Sequence, residues 1–117
     1  MYKSAMLAKD LVAASSKPLV LSILAEGENY GYEIIKRVRE LSGGRIEWSD
    51  GMLYPVLHRL EGEGLIRSEW KEANTGRQRK YYRISAKGRQ NLAGERDQWL
   101  TVHNTLCKLW NLKPVSI

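Results

Sequence analysis

The chain has 117 residues, a formal net charge of +6 and a sequence pI of about 9.6. That is enough for one domain with one modest core, and the basic balance favours an acidic partner, either nucleic acid or an anionic membrane surface. The single cysteine, Cys107, excludes an intrachain disulfide and a cysteine-based metal cage, so a reducing cytoplasm is the expected compartment.

Nothing in the first twenty residues reads as a targeting segment, and the longest apolar stretch, near residues 18–25, is too short to span a bilayer. Residues 3–15 are Ala-rich, with Leu7, Leu11 and Ala14 at helical spacing, so a short first helix is expected. Ser15, Ser16, Lys17 and Pro18 read as a break and a new start, with Ser16 as cap and Pro18 in the first turn of a second helix that stops at Gly27. Asn29 is placed to cap the next helix, "YGYEIIKRVREL", whose Ile34, Ile35, Val38 and Leu41 form one apolar face. Gly43 and Gly44 end it. Trp48 precedes Ser49, a further capping residue.

The stretch that follows, "SDGMLYPVLHRLEGEGLI", has a helix start, an apolar stripe and a helix stop, yet it holds Gly51 and Pro55. At roughly 100° per residue, Leu53, Val56, Leu57 and Leu60 gather on one side, the expected buried side. Gly51, Tyr54, Pro55, His58 and Gly62 gather on the other, so both helix-weakening residues face outward. Pro55 lies just past the first turn and forfeits at most one intrahelical bond, less than the ~3 kcal/mol of a mid-helix proline. Gly51 leaves the helix start bare, and helix starts attract phosphates. This pattern suits a helix whose N-terminal half docks into a DNA groove. It equally suits a slightly bent surface helix.

After Gly64 the period changes. "LIRSEWK" and "RKYYRIS" are aromatic and β-branched, and the polar "EANTGRQ" between them contains Gly76, which is a hairpin signal. From Arg67 to Arg83 six basic residues stand against Glu69 and Glu72, and Arg77, Arg79 and Lys80 cluster just after the turn. Such a run is often only a solvated edge. Beside an exposed helix face, it suits phosphate contacts and the minor groove. Ser85 caps a last long helix, from Ala86 to about Trp110. On it Trp99, Val102, Leu106 and Leu109 repeat at three, four and three, with Leu92 one heptad earlier. The surface is broader than one packing partner requires, and self-association is the expected cover, with Leu7 and Leu11 adding to it. Cys107 reads as a small buried apolar residue, and Trp48 and Trp70 as core or hinge packing.

The order is a mainly α fold with a two-stranded β-wing, that of a winged helix-turn-helix followed by a long dimerisation helix. A generic α+β domain has the same inventory. The expected organisation is a DNA-binding unit over residues 1–84 and a dimerisation helix with its tail over residues 85–117. Two histidines in separate elements, no Gly-rich phosphate loop and no metal-ligand spacing argue against an enzyme, a metal site or a cofactor.

In this order, "YGYEIIKRV", "GMLYPVLHRLEGEGLI" and "GRQRKYYRIS" resemble the PadR-like family of bacterial transcriptional regulators over roughly residues 17–92. The resemblance implies a homodimer that binds double-stranded DNA, mostly as a repressor on an inverted repeat. It implies a recognition helix from Ser49 to Leu60, a wing at Arg77–Lys80, and phosphate-contacting Tyr30 and Tyr54. The expected DNA-contact set is Tyr30, Lys36, Ser49, Asp50, Gly51, Met52, Tyr54, Pro55, His58, Arg77, Arg79 and Lys80, with Arg37 beside Lys36 as a further backbone clamp. Ending soon after one C-terminal helix places the chain with the short branch of the family. Some members respond to phenolic acids or multidrug-type compounds. In the drug-responsive branch a tryptophan on the last helix sandwiches flat aromatic ligands, and Trp99 matches that position; its other role is to fill the dimer core. The competing reading is a protein-interaction module on the same scaffold, with DNA binding secondary or lost.

Overall fold

The structure, a computed structural model, describes residues 6–114. Its elements run α1 (Lys9–Glu26), β1 (Asn29–Tyr30), α2 (Gly31–Leu41), α3 (Asp50–Gly62), β2 (Ile66–Glu72), β3 (Gln78–Ile84) and α4 (Ala86–Leu109).

The first correction concerns α1. The expected break at Ser15–Pro18 is absent, and one helix of 18 residues runs through Pro18. The start expected at residue 3 lies outside the described residues. Pro18 has no N–H for the Ala14 carbonyl. Burial outweighs that loss, because Val12, Ser16, Val20, Ile23 and Leu24 form one buried stripe on both sides of the proline. The serine hydroxyls turn inward rather than starting a new helix. Ser15 Oγ donates to the Leu11 carbonyl at 2.8 Å, and Ser16 Oγ donates to the Ala13 carbonyl at 2.8 Å.

Asn29 does not cap α2. Its Oδ1 accepts from the Tyr30 N–H at 3.0 Å, and the two residues form a short strand. This strand pairs antiparallel with β3, Asn29 opposite Tyr82 and Tyr30 opposite Tyr81, so the wing is a three-stranded sheet in the order β1-β3-β2 rather than a two-stranded ribbon. β2 and β3 pair from Ile66–Ile84 out to Glu72–Gln78. The tip is closed by the Ala73 N–H donating to the Arg77 carbonyl at 2.7 Å, with Gly76 at φ 83°.

Along α2, Ile34, Ile35 and Val38 are buried, but Leu41 is 61% exposed. The helix ends at Leu41, and the chain turns away through Gly43 and Gly44, both at positive φ. Ser42 Oγ accepts from the Ile46 N–H at 2.9 Å, which steers buried Ile46 and Trp48 toward the core. Ser49 caps α3, its hydroxyl accepting from the Met52 N–H at 3.3 Å. Leu53, Leu57 and Leu60 are buried, and half-buried Val56 packs on the same core.

Ser85 caps α4, accepting from the Gly88 N–H at 3.0 Å and donating to the Gly64 carbonyl at 2.7 Å. A Cβ at Gly88 would overlap the Leu65 carbonyl oxygen, so glycine lets α4 start flush against the turn between α3 and β2. α4 packs along α1. Among its 24 residues only Gly88 and Cys107 are buried.

Candidate nucleic-acid interface

The exposed face of α3 holds Asp50, Gly51, Met52, Tyr54, Pro55 and His58. Burial has left these residues free, because the leucines of the opposite stripe anchor the helix. Pro55 cannot donate to the Gly51 carbonyl, which is therefore open to solvent or a partner. A Cβ at Gly51 would meet only the Ser49 hydroxyl, at 3.8 Å. The fold itself does not require glycine there.

One groove of about 520 Å³ joins α2, α3 and the sheet. Tyr54 enters it from α3. Tyr30, Gly31 and Tyr32 supply the wall at the start of α2, and Trp70, Gln78, Arg79, Lys80 and Tyr82 supply the sheet wall. No carboxylate lines it, and its charged lining residues are Arg79 and Lys80.

The strand alternation assigns each cation its place. The Arg79 guanidinium sits 4.3 Å from the centre of the Tyr30 ring, and that ring meets Tyr81 edge-on at 5.4 Å. The Tyr30 hydroxyl donates to Glu33 Oε1 at 3.4 Å. Lys80 projects to the other face, its ammonium 6.0 Å from the Trp70 ring and 5.8 Å from Tyr82. Arg77 is exposed at the tip. Burial, followed by Tyr54 and Glu61, pushes the Tyr82 hydroxyl up to about 12. Tyr82 therefore enters this surface as a neutral phenol.

The preceding helix divides differently from the sequence expectation. Lys36 is half-buried, and its side chain has no ion-pair partner among the described residues. Arg37, expected as a backbone clamp, is engaged instead by Glu26, with Nε at 3.2 Å from one carboxylate oxygen and a terminal nitrogen at 2.8 Å from the other. That bidentate pair raises the Arg37 pKa and lowers that of Glu26, and it ties α1 to α2.

Trp70 also departs from expectation. It is 63% exposed and lines the groove instead of packing in the core, whereas Trp48 is buried at 5%. Trp70 alternates with buried Ile66 and half-buried Ser68 on one strand face, and only the base of that face is covered. Its place opposite Lys80 in the hairpin was the signal that could have found it. Tyr32 was missed as well; it is 62% exposed, two residues after Tyr30.

On α4, Val102 is 56% exposed and Leu109 75%, while Trp99 and Leu106 are half-buried. Leu7 and Leu92 pack partly on the chain's own core, and Leu11 is 48% exposed. Cys107 is buried, its Sγ 3.5 Å from His103 Nε2. Among the described residues no cluster of three or more His, Cys, Asp or Glu could hold a metal ion, and no helix is long and apolar enough to cross a membrane.

A family model for the PadR-like transcriptional regulators matches residues 20–94, which spans α2, α3, the whole sheet and the start of α4. The chain belongs to the PadR-like family of transcriptional regulators. PadR-like proteins are non-enzymatic DNA-binding regulators. Over 77 residues this PadR-like chain is 39% identical to a transcriptional regulator of Mycobacterium tuberculosis, covering 66% of this chain and 68% of that one. Among solved structures, a PadR-like transcriptional regulator from Bacillus cereus superposes with a TM-score of 0.78 at 28% identity, covering 90% of this chain and all of that one. A PadR family regulator from Eggerthella lenta superposes with a TM-score of 0.73 at 33% identity, covering 89% and 88%.

Proposed function

We propose that this PadR-like regulator is a repressor that works in the cytoplasm as a homodimer and binds an inverted-repeat operator. The observation that carries this reading is the meeting of the exposed α3 face with the cationic wing. Tyr54 of α3 and Arg79 and Lys80 of β3 line the same acid-free groove. Phosphate contacts from Tyr30, Lys36, Ser49, Tyr54, Arg77, Arg79 and Lys80 set the register. Asp50, Gly51, Met52, Pro55 and His58 face the base edges in the major groove.

Two copies associate through α4. Val102 and Leu109 expose apolar surface there, with Trp99 and Leu106 alongside, and Leu7, Leu11 and Leu92 border the seam. Such a pair presents two recognition helices to successive major grooves, about 34 Å apart. Trp99 lines a shallow cavity of about 300 Å³ with Gln98 and Val102. A second copy would close it into a slot for a flat aromatic effector. An effector bound to a dimer with the wrong helix spacing would draw the population away from DNA.

The test is a gel shift on the DNA upstream of its own coding region, in excess random DNA and over a salt series. The expected result is a complex that survives the random competitor and falls steeply with salt. Arg77→Ala with Arg79→Ala should weaken all sequences alike, whereas changing His58, which faces the base edges, should also blur the preference among sequences. Retention unaffected by both sets of changes would sink the repressor reading and leave a protein-interaction module on this scaffold.

A further inference from the structure

Gly31 opens α2 and is buried. Its backbone does not lie in the left-handed region, so conformational freedom does not account for a glycine here. Glycine in a helix is unfavourable relative to alanine. Something must therefore forbid a side chain.

The space around Gly31 identifies the cause. A Cβ built there would stand 2.6 Å from the Tyr54 hydroxyl oxygen, 3.0 Å from Cζ and 3.5 Å from Cε1. All three nearest atoms belong to Tyr54. That residue takes no part in the core: it is 44% exposed, on the face of α3 that packing leaves free. The contact therefore places a surface side chain and adds nothing to the hydrophobic interior. It brings the hydroxyl to the start of α2, where the N-cap residue, Tyr30, makes no side-chain capping bond, and into the groove with Arg79 and Lys80.

We infer that Gly31 is a positioning residue for DNA, its missing side chain being what lets the Tyr54 hydroxyl seat against the start of α2. This rests on the DNA-binding reading above. Gly31 touches no DNA itself. It fixes where the recognition helix presents its tyrosine relative to the wing. A methyl group at position 31 displaces the hydroxyl end of the ring while leaving the buried leucines of α3 in place.

The test compares Gly31→Ala, Tyr54→Phe, Tyr54→Leu and the double variant Gly31→Ala/Tyr54→Leu in the full chain, by thermal unfolding and by DNA titration. Gly31→Ala should melt within a few degrees of the parent yet bind operator about tenfold more weakly. Tyr54→Phe should lose a similar factor. In the Tyr54→Leu background, Gly31→Ala should cost nothing further in either measurement, because the obstructing ring is gone. Independent losses that multiply in the double variant would overturn the inference. So would a Gly31→Ala protein that fails to fold even with leucine at position 54, since some contact other than Tyr54 would then be responsible. Parent-like binding by Gly31→Ala, with Tyr54→Phe weakened, would overturn it while leaving the DNA reading intact. A parent protein that shows no specific complex would fail that reading instead. The thermal arm still decides the contact, because relief by Tyr54→Leu needs no DNA.

Discussion

Glu61 of α3 accepts two hydrogen bonds from Ser68 of β2 on one carboxylate oxygen, from the N–H at 3.2 Å and from the hydroxyl at 2.5 Å. The end of α3 and the base of the sheet are thereby joined by a partly buried, charge-assisted pair. Ser68→Ala removes the hydroxyl bond alone and should cost about 1.5–3 kcal/mol in urea unfolding, the range for a hydrogen bond to a charged group. Glu61→Ala should cost more, because the Ser68 N–H then loses its partner too. A Glu61→Ala protein as stable as the parent would show that the strand sits correctly without this link.

Gly51 makes the opposite case to Gly31. With only the Ser49 hydroxyl near its absent side chain, Gly51→Ala should raise stability by a few tenths to about 1 kcal/mol through helix propensity. The same change should weaken operator binding, because the added methyl group holds the α3 backbone away from the duplex. Thermal unfolding and a DNA titration on one preparation read both effects. Tighter or unchanged binding would remove Gly51 from the contact surface.

The wing arginines and Arg37 should separate in salt. Arg77→Ala and Arg79→Ala should each lower the slope of log K against log salt by about one. Arg79→Ala should in addition free the Tyr30 ring it covers. Arg37→Ala should leave the slope unchanged, since Glu26 already engages that guanidinium. A fall in slope for Arg37→Ala would mean that the pair opens on DNA.

Tyr82 sets an alkaline limit. Its hydroxyl titrates at about 12, above the ordinary tyrosine value near 10, chiefly because it is buried. The folded state therefore holds this proton more tightly than the unfolded chain. The resulting stabilisation is complete below about pH 10 and is lost as the pH rises through about 12, on the order of 3 kcal/mol in all. Tyr82→Phe should flatten the fall in stability over that window. An unchanged alkaline slope in urea titrations would assign the effect to other groups.

The α4 seam can be tested without disturbing the core. Val102→Glu with Leu109→Glu places two charges where both side chains are already more than half exposed. Helix content should be kept, while self-association measured by sedimentation should weaken at least tenfold, a change of about 1.4 kcal/mol or more. Operator affinity should fall with it. A double variant that still pairs would place the interface elsewhere, and a monomeric parent protein would remove the dimer.

Residues close in sequence settled a good part of this protein. The limits of α3, its Ser49 cap, the buried leucines and the outward Gly51, Tyr54, Pro55 and His58 follow from a 3.6-residue period and local capping chemistry. The hairpin and the start of α4 at Ser85 follow in the same way, from alternation, Gly76 and a second cap. These signals act within a few residues, so they are visible without the rest of the chain.

Tertiary structure decided what depends on distant neighbours. Pro18 is a break by local rules, yet a stripe buried on both sides carries α1 through it. Asn29 and Tyr30 become a strand only because β3, some fifty residues later, supplies the pairing. Leu41 and Trp70 have core chemistry but lie where none of the described elements covers them. The Tyr54 ring that occupies the space beside Gly31 comes from another helix. Packing between remote segments is a property of the assembled surface, and no local pattern in the sequence encodes it.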